Sequence, residues 1–176
     1  MKTENEIKST YQQLTQSTFH KIVDFEEAQK RVAAAKQAGK IIGFTNGVFD
    51  MLHLGHLDSL RQAKAECDYL VVAMNTDISV KRYKGPNRPI QDEQTRAQVL
   101  ASLGLVDLIV LFDKIGDDNT ATPLVRLLKP DVIAKEGYTI DKWPEAQYVA
   151  SYGGKVVTLK RLDGYSSTNL VEKMKG

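Results

Sequence analysis

Five short apolar runs, mostly β-branched, punctuate this chain, at positions 41–45, 69–75, 108–112, 131–134 and 155–159. Each is nearly continuous rather than alternating, the pattern of a strand buried on both faces. Between them lie stretches of helical character, at 57–66, 93–103, 122–128 and 144–152. A further helix is predicted over 25–39, FEEAQKRVAAAKQAG. It is rich in helix formers, opens with Glu26 and Glu27, carries Lys36 late and meets Gly39 at its end, as the helix dipole and a glycine cap favour. Alternating strand and helix predicts parallel strands with right-handed crossovers. The expectation is an α/β, Rossmann-like doubly wound fold with a five-stranded parallel sheet and helices on both faces. Residues 1–22 have no clear period and read as an N-terminal arm, loose or an oligomer contact, ahead of one domain over 23–176.

In open α/β sheets ligands sit outside the carboxyl ends of the strands, so the segments just after each run are where chemistry is sought. The first is FTNGVFDMLHLGH, Phe44 to His56. It sets His53, Gly55 and His56 at the start of the next helix, where unpaired N–H groups and the dipole attract an anion. Gly55 lets a phosphate approach the backbone, and imidazoles at i and i+3 share one side of the turn. The alternatives are two incidental histidines or a metal pair; no third ligand stands at an evident metal spacing.

The second is MNTDISVKRYKGPNRPI, read as a loop shaped by Gly85 and Pro86. Lys81, Arg82, Lys84 and Arg88 put four cations within eight residues, either a solvated basic loop or one that closes over a triphosphate. Asp50 and Asp77 each follow a strand, fit to bind sugar hydroxyls, help hold Mg²⁺ or cap a helix. Arg96, in the following helix, has a surface ion pair with Asp92 or Glu93 as its plain reading. GYSSTNL, from Gly164, offers Ser166, Ser167 and Thr168 at another helix start, for anion binding or simple capping. Trp143 and Tyr138 are aromatics suited to stacking or to packing. His20 has no partner motif.

Composition narrows the classes. A formal charge of +2 rules out a polybasic nucleic-acid binder. No run approaches the roughly 20 apolar residues of a membrane span, and the polar N-terminus lacks the apolar centre of a secretory signal. Cys67 is the single cysteine, which excludes an internal disulfide, fits a reducing cytoplasm and suggests a small residue packed near a helix end.

Taken in order, Thr45–Asp50, His53–His56, Asn75–Val80, Lys84–Pro89 and Gly164–Asn169 resemble the H-x-G-H nucleotidyltransferase superfamily, the cytidylyltransferase-like proteins. The likeness runs from about Phe25 to the C-terminus. It is nearest to the adenylyltransferase domain of ADP-heptose synthase, whose pattern is T-N-G-C-F-D, H-x-G-H, N-S-D-x-S-V, K-G-P-x-R-P and G-x-S-T-T-N. The resemblance implies an enzyme that transfers a nucleotidyl group, AMP from ATP, to a sugar 1-phosphate such as heptose 1-phosphate. It implies His53, His56 and Lys84 as catalytic groups. Nucleotide contacts would come from Phe44, Thr45, Asn46, Gly47, Val48, Phe49, Gly55, Arg88, Arg161, Ser166, Ser167 and Thr168. Acceptor contacts would come from Asp50, Asn75, Asp77 and Lys135, and Arg96 matches an arginine of the family. It further implies Mg²⁺ as cofactor, a homodimer, and neither a nucleic acid nor a membrane as partner.

Three features depart from that pattern. Residues 134–139 read AKEGYT where the heptose family has V-K-G-G-D-Y, so Lys135 is kept but Glu136 stands in place of a glycine. The segment 113–123 is longer, and Val48 replaces a cysteine. Arg161, five residues before Ser166, is similar to the R-T-x-G-I-S-T-T pattern of cytidylyltransferases acting on a polyol phosphate such as glycerol 3-phosphate with CTP. That enzyme is the first alternative; a nucleotide-binding regulatory module without turnover is the second.

Overall fold

The computed structural model describes residues 2–113 and 120–165. Its centre is a sheet of six strands, not five, and every recorded pairing is parallel. The strands are β1 (Ile22–Val23), β2 (Ile42–Gly47), β3 (Tyr69–Asn75), β4 (Leu108–Phe112), β5 (Val132–Glu136) and β6 (Lys155–Leu159), in the spatial order β1-β4-β3-β2-β5-β6. The extra strand is β1, two residues at the sheet edge, too short to show any period in sequence.

Side chains alternate across the sheet and feed two cores. Val71 and Ala73 of β3, with Phe44 and Ile133, face α2 (Phe25–Gln37), α6 (Thr122–Leu128) and α7 (Pro144–Ser151). Leu70, Val72 and Met74 face α3 (Leu54–Ala65) and α5 (Glu93–Ala101) instead. Both faces are thus covered, the doubly wound arrangement. Gly43 matters on the second face, because a Cβ there would run into the Cys67 side chain, 2.9 Å from its Cβ atom. Cys67 packs against the sheet at the end of α3 as expected, and burial pushes its thiol up to about 11, which leaves it inert.

Two helices depart from the sequence reading. Residues 4–19 form α1 (Glu4–Phe19), started by a Thr3/Glu6 capping box, although none of its residues is buried. Its apolar residues Ile7, Tyr11 and Leu14 do stand at helical spacing, but they are few, set among polar residues, and stay exposed. The basic loop is also partly helix: α4 (Asp77–Lys84) is capped by the Thr76 hydroxyl and ends at Gly85, φ +91°. Its charged face hid the helix. Among the described residues no helix is long and apolar enough to cross a membrane.

The chain steps from β2 to β3 on one side, and later returns to place β5 on the other side of β2. That reversal is the switch point at which doubly wound sheets form a crevice. Pairing of β2 with β3 continues to Gly47↔Met74, whereas pairing of β2 with β5 is recorded only at Gly43↔Val132 and Phe44↔Ile133. Beyond Phe44 those two strands part, and the candidate site lies between them.

Candidate active site

A cleft of about 400 Å³ opens at this point, lined by Thr45–Asp50, His56, Ser59, Asn75, Tyr83, Lys84, Lys135, Glu136, Tyr138 and Leu159. β2 runs two residues past the end of its apolar run, so Asn46 and Gly47 leave the sheet as strand residues. A Cβ on Gly47 would lie 3.0 Å from the Phe49 ring, so the glycine lets that ring fold back. The turn that follows is strained: Phe49 and Met51 have φ of 52° and 55°, in the left-handed region that non-glycine residues avoid. Each such residue costs about 1–3 kcal/mol and persists only where its surroundings over-determine it.

Those surroundings are a buried polar network. Arg96 is only 1% exposed and donates to Val48 O at 2.6 Å, Gln91 O at 3.0 Å and Asp77 Oδ1 at 2.6 Å. It is a buried brace and makes no surface pair with Asp92 or Glu93. The sequence held a signal for it, since Arg96 and Leu100 share the buried face of α5 at i and i+4. Asp50, also 1% exposed, accepts from Ile90 N at 2.9 Å and Gln91 N at 3.1 Å, and pairs with Arg88 at 2.7 Å. Burial raises its carboxyl, but these donors outweigh burial and hold it below the ordinary carboxylate range. Asp50 and Arg96 thus tie the strained turn to the segments around residue 90.

His53 caps α3, which starts one turn earlier than its apolar pattern. Its Nδ1 accepts from His56 N–H at 3.4 Å. In the neutral ring that bond leaves the proton on Nε2, which is then the free donor. The two rings stack, with centroids 3.8 Å apart and planes at 22°. A Cβ at Gly55 would sit 3.1 Å from the His53 ring and 3.2 Å from Tyr165 Cβ, so its bareness first serves the packing of these two side chains. His56 lines the cleft; His53 stacks on it from outside the lining. Burial, then the neighbouring His53 and Lys84, push His56 down to about 4. Burial also lowers His53, opposed by Glu136. Both rings are therefore neutral at pH 7.

Lys84 projects from the end of α4 into the cleft, and burial, with Arg88 next, lowers its ammonium. Among the described residues, the buried atoms Asn46 Oδ1 and His56 Nδ1 have no hydrogen-bond partner. Orphaned polar atoms on a cleft wall are what a polar ligand would satisfy. On the opposite wall, Lys135 Nζ lies 4.4 Å from the Tyr138 ring centroid. Glu136 accepts from Ser59 Oγ at 3.0 Å and faces Arg161 Nε at 3.4 Å.

The histidines, Lys84 and the 45–50 segment are thus brought together with Asn75 and Lys135, whereas Phe44 is fully buried in the core and does not line the cleft. Asn75 is buried and donates to Ser79 Oγ at 3.1 Å. Asp77 serves Arg96 and lies outside the lining, and Arg88 acts on Asp50. Lys81 and Arg82 are exposed. Trp143 is buried in the core at 1% exposure, 6.0 Å from the half-exposed Tyr138 ring. Ser166, Ser167 and Thr168 lie outside the described residues. Sequence reasoning missed Ser59 and Tyr83; for Ser59 the signal was its i+3 spacing from His56 along α3.

No group of three His, Cys, Asp or Glu side chains among the described residues is placed to hold a metal ion. The cleft carboxylates do not fit a protein-held Mg²⁺, since Asp50 is engaged by Arg88 and two amides, which leaves Glu136 as a single carboxylate beside Ser59. Mg²⁺ would enter with a nucleoside triphosphate, as part of that substrate.

Residues 44–173 match the Cytidylyltransferase-like family. The chain is 49% identical over 155 residues to the bifunctional protein HldE of Caulobacter vibrioides and 50% identical over 157 residues to that of Paramagnetospirillum magneticum. These alignments cover 88% and 89% of this chain but 31% of each relative, so the chain spans about a third of their length. Among solved structures, a lipopolysaccharide core biosynthesis protein from Thermoplasma volcanium is 33% identical with a TM-score of 0.57, covering 71% of this chain and all of that one. Pantoate-beta-alanine ligase from Francisella tularensis, solved with an ATP compound and beta-alanine, has a TM-score of 0.58 at 18% identity, covering 88% of this chain and 76% of that one, a likeness of fold alone. With its paired histidines at the switch point and a family match over most of its length, the chain belongs to the cytidylyltransferase-like family of H-x-G-H nucleotidyltransferases.

Proposed function

We propose that this chain transfers AMP from ATP to a sugar 1-phosphate, heptose 1-phosphate foremost, and releases pyrophosphate. The observation that carries the reading is the stacked His53–His56 pair at the N-terminus of α3, beside Lys84 in a cleft at the switch point. The likeness of its motifs to the adenylyltransferase domain of ADP-heptose synthase supports the nucleotide and the acceptor, and the match to the HldE relatives agrees with nucleotidyl transfer.

In this reading a phosphate oxygen of the acceptor attacks the α-phosphorus in line. The bond from that phosphorus to the bridging oxygen breaks, and the electron pair leaves with pyrophosphate. Neutral imidazole N–H groups donate to the phosphoryl oxygens, His53 through Nε2, and the amide ends of α3 add a fixed positive potential. Lys84 neutralises charge gathering on the leaving pyrophosphate. Thr45, Asn46, Gly47, Val48 and Phe49 form the nucleotide wall, and Asn75 and Lys135 the acceptor side. No covalent enzyme intermediate is needed, so catalysis rests on positioning and on charge.

A cytidylyltransferase acting on a polyol phosphate is the second reading, favoured by Arg161 at the mouth of the cleft. Pyrophosphate release, measured with ATP or CTP against heptose 1-phosphate and glycerol 3-phosphate, separates the two. Turnover is expected with ATP and heptose 1-phosphate. Turnover confined to CTP and glycerol 3-phosphate replaces the first reading with the second. Nucleotide binding without release for any pair sinks both and leaves a regulatory binding module.

A further inference from the structure

The cleft is built for anions: His56, with His53 stacked on it, Lys84, Lys135 and the N-terminus of α3 border it. Glu136 contradicts that chemistry. It sits at the carboxyl end of β5 and lines the same cleft, with a side chain 31% exposed. It is near enough to the histidine pair to oppose the lowering of His53. Its partner Ser59 stands one helical turn beyond His56, which holds the carboxylate beside the phosphate-gripping end of α3. A carboxylate here repels phosphate, so a positive role must come from donors.

A carboxylate has about four lone-pair sites, and among the described residues Ser59 takes one and Arg161 makes a long 3.4 Å contact. The remaining sites point to hydroxyl donors on a sugar one bond from a phosphate held by His53 and His56. Resting on the reading above, we propose that Glu136 is a specificity-determining residue that binds the vicinal hydroxyls of such a sugar. The shared chemistry is a sugar diol next to a phosphate, supplied by the ribose of the nucleotide or by the acceptor. Glu136 thereby gives the cleft a polarity, with phosphates at the imidazole end and sugar at the β5 end.

The test measures binding of ATP, 2′-deoxy-ATP and 3′-deoxy-ATP by calorimetry to wild type, Glu136→Ala and the conservative Glu136→Gln, with acceptor KM for heptose 1-phosphate alongside. If the ribose is the ligand, wild type binds ATP about tenfold tighter than a deoxy analogue, as a hydrogen bond to a charged group predicts. Glu136→Ala then brings that ratio near one, and Glu136→Gln falls between. If the acceptor is the ligand, the ATP ratio is unchanged and acceptor KM rises about tenfold in Glu136→Ala, while ATP binding is kept. ATP binding with neither ratio nor acceptor KM altered overturns the role of Glu136 and leaves the nucleotidyl-transfer reading standing. Failure of wild type to bind any nucleotide overturns both.

Discussion

Two carboxylates border the cleft, and they are held in opposite ways. Asp50 is 1% exposed and receives two backbone amides and the Arg88 guanidinium, all at 3.1 Å or less. Glu136 is 31% exposed, with one short bond from Ser59 and a 3.4 Å contact with Arg161. The first anchors a turn that carries two left-handed non-glycine residues. The second anchors nothing of comparable strain. The β2–α3 wall is thus locked before any ligand arrives, whereas the β5–β6 wall keeps groups that a ligand can claim. Rate is expected to depend on the first wall and selectivity on the second.

Breaking the locked side has the largest expected effect. Asp50→Ala takes the buried acceptor from the largely buried Arg88 side chain and from the Ile90 and Gln91 amides, and releases the strained turn. Removing one partner of a buried pair destabilises by about 3–5 kcal/mol. Chemical denaturation should show a loss in that range; a loss below about 1 kcal/mol would mean that the two walls do not differ in this way.

Next comes the rate. His56→Ala should leave the fold intact and cut kcat/KM by about 10²–10³-fold, the range for a lost donor to transition-state charge. Pyrophosphate release in steady state reads this out. The wild-type rate in a folded variant would move the chemistry off α3.

The wall that is locked was also the more legible one. The parallel sheet and the two-faced core follow from the near-continuous apolar runs, and the histidine pair from its spacing at the first strand's end. Less legible were the residues that lock the wall. The helical spacing of Arg96 places it on a buried face, but its partners Val48 and Asp77, far off in sequence, say what it does there. Asp50 reads equally as ligand or cap until the segment around residue 90 folds over it. On the other wall, Glu136 stood out only because it replaces a glycine in the resembled pattern. β1 is too short to carry a period, and α4 hides under its cations.

Acid should weaken the locked side in two separate windows. The folded pKa of His56, about 4, lies below its ordinary 6.5, so between these values the unfolded chain binds the proton that the folded one refuses. Stability from this group is complete above pH 6.5 and falls as pH drops toward 4, by up to about 3 kcal/mol. His53 shifts in the same direction and adds to the slope. The Asp50 contribution goes only below its ordinary 3.8. Denaturation midpoints at stepped pH should slope across the first window in wild type and flatten in His56→Ala. An equal slope in both would assign it elsewhere.

The smallest effect belongs to the open wall, and it completes the comparison. Arg161 is 65% exposed along its side chain and meets Glu136 at 3.4 Å. Exposed pairs contribute about 0–1 kcal/mol, because water screens them and two side chains must be held in place. Arg161→Ala should therefore change the denaturation midpoint little, and salt should change it little in either protein. A loss near that of Asp50→Ala would show that the β5–β6 wall is as rigid as its neighbour. Glu136 would then be a structural anchor, with no lone pairs to spare for a sugar.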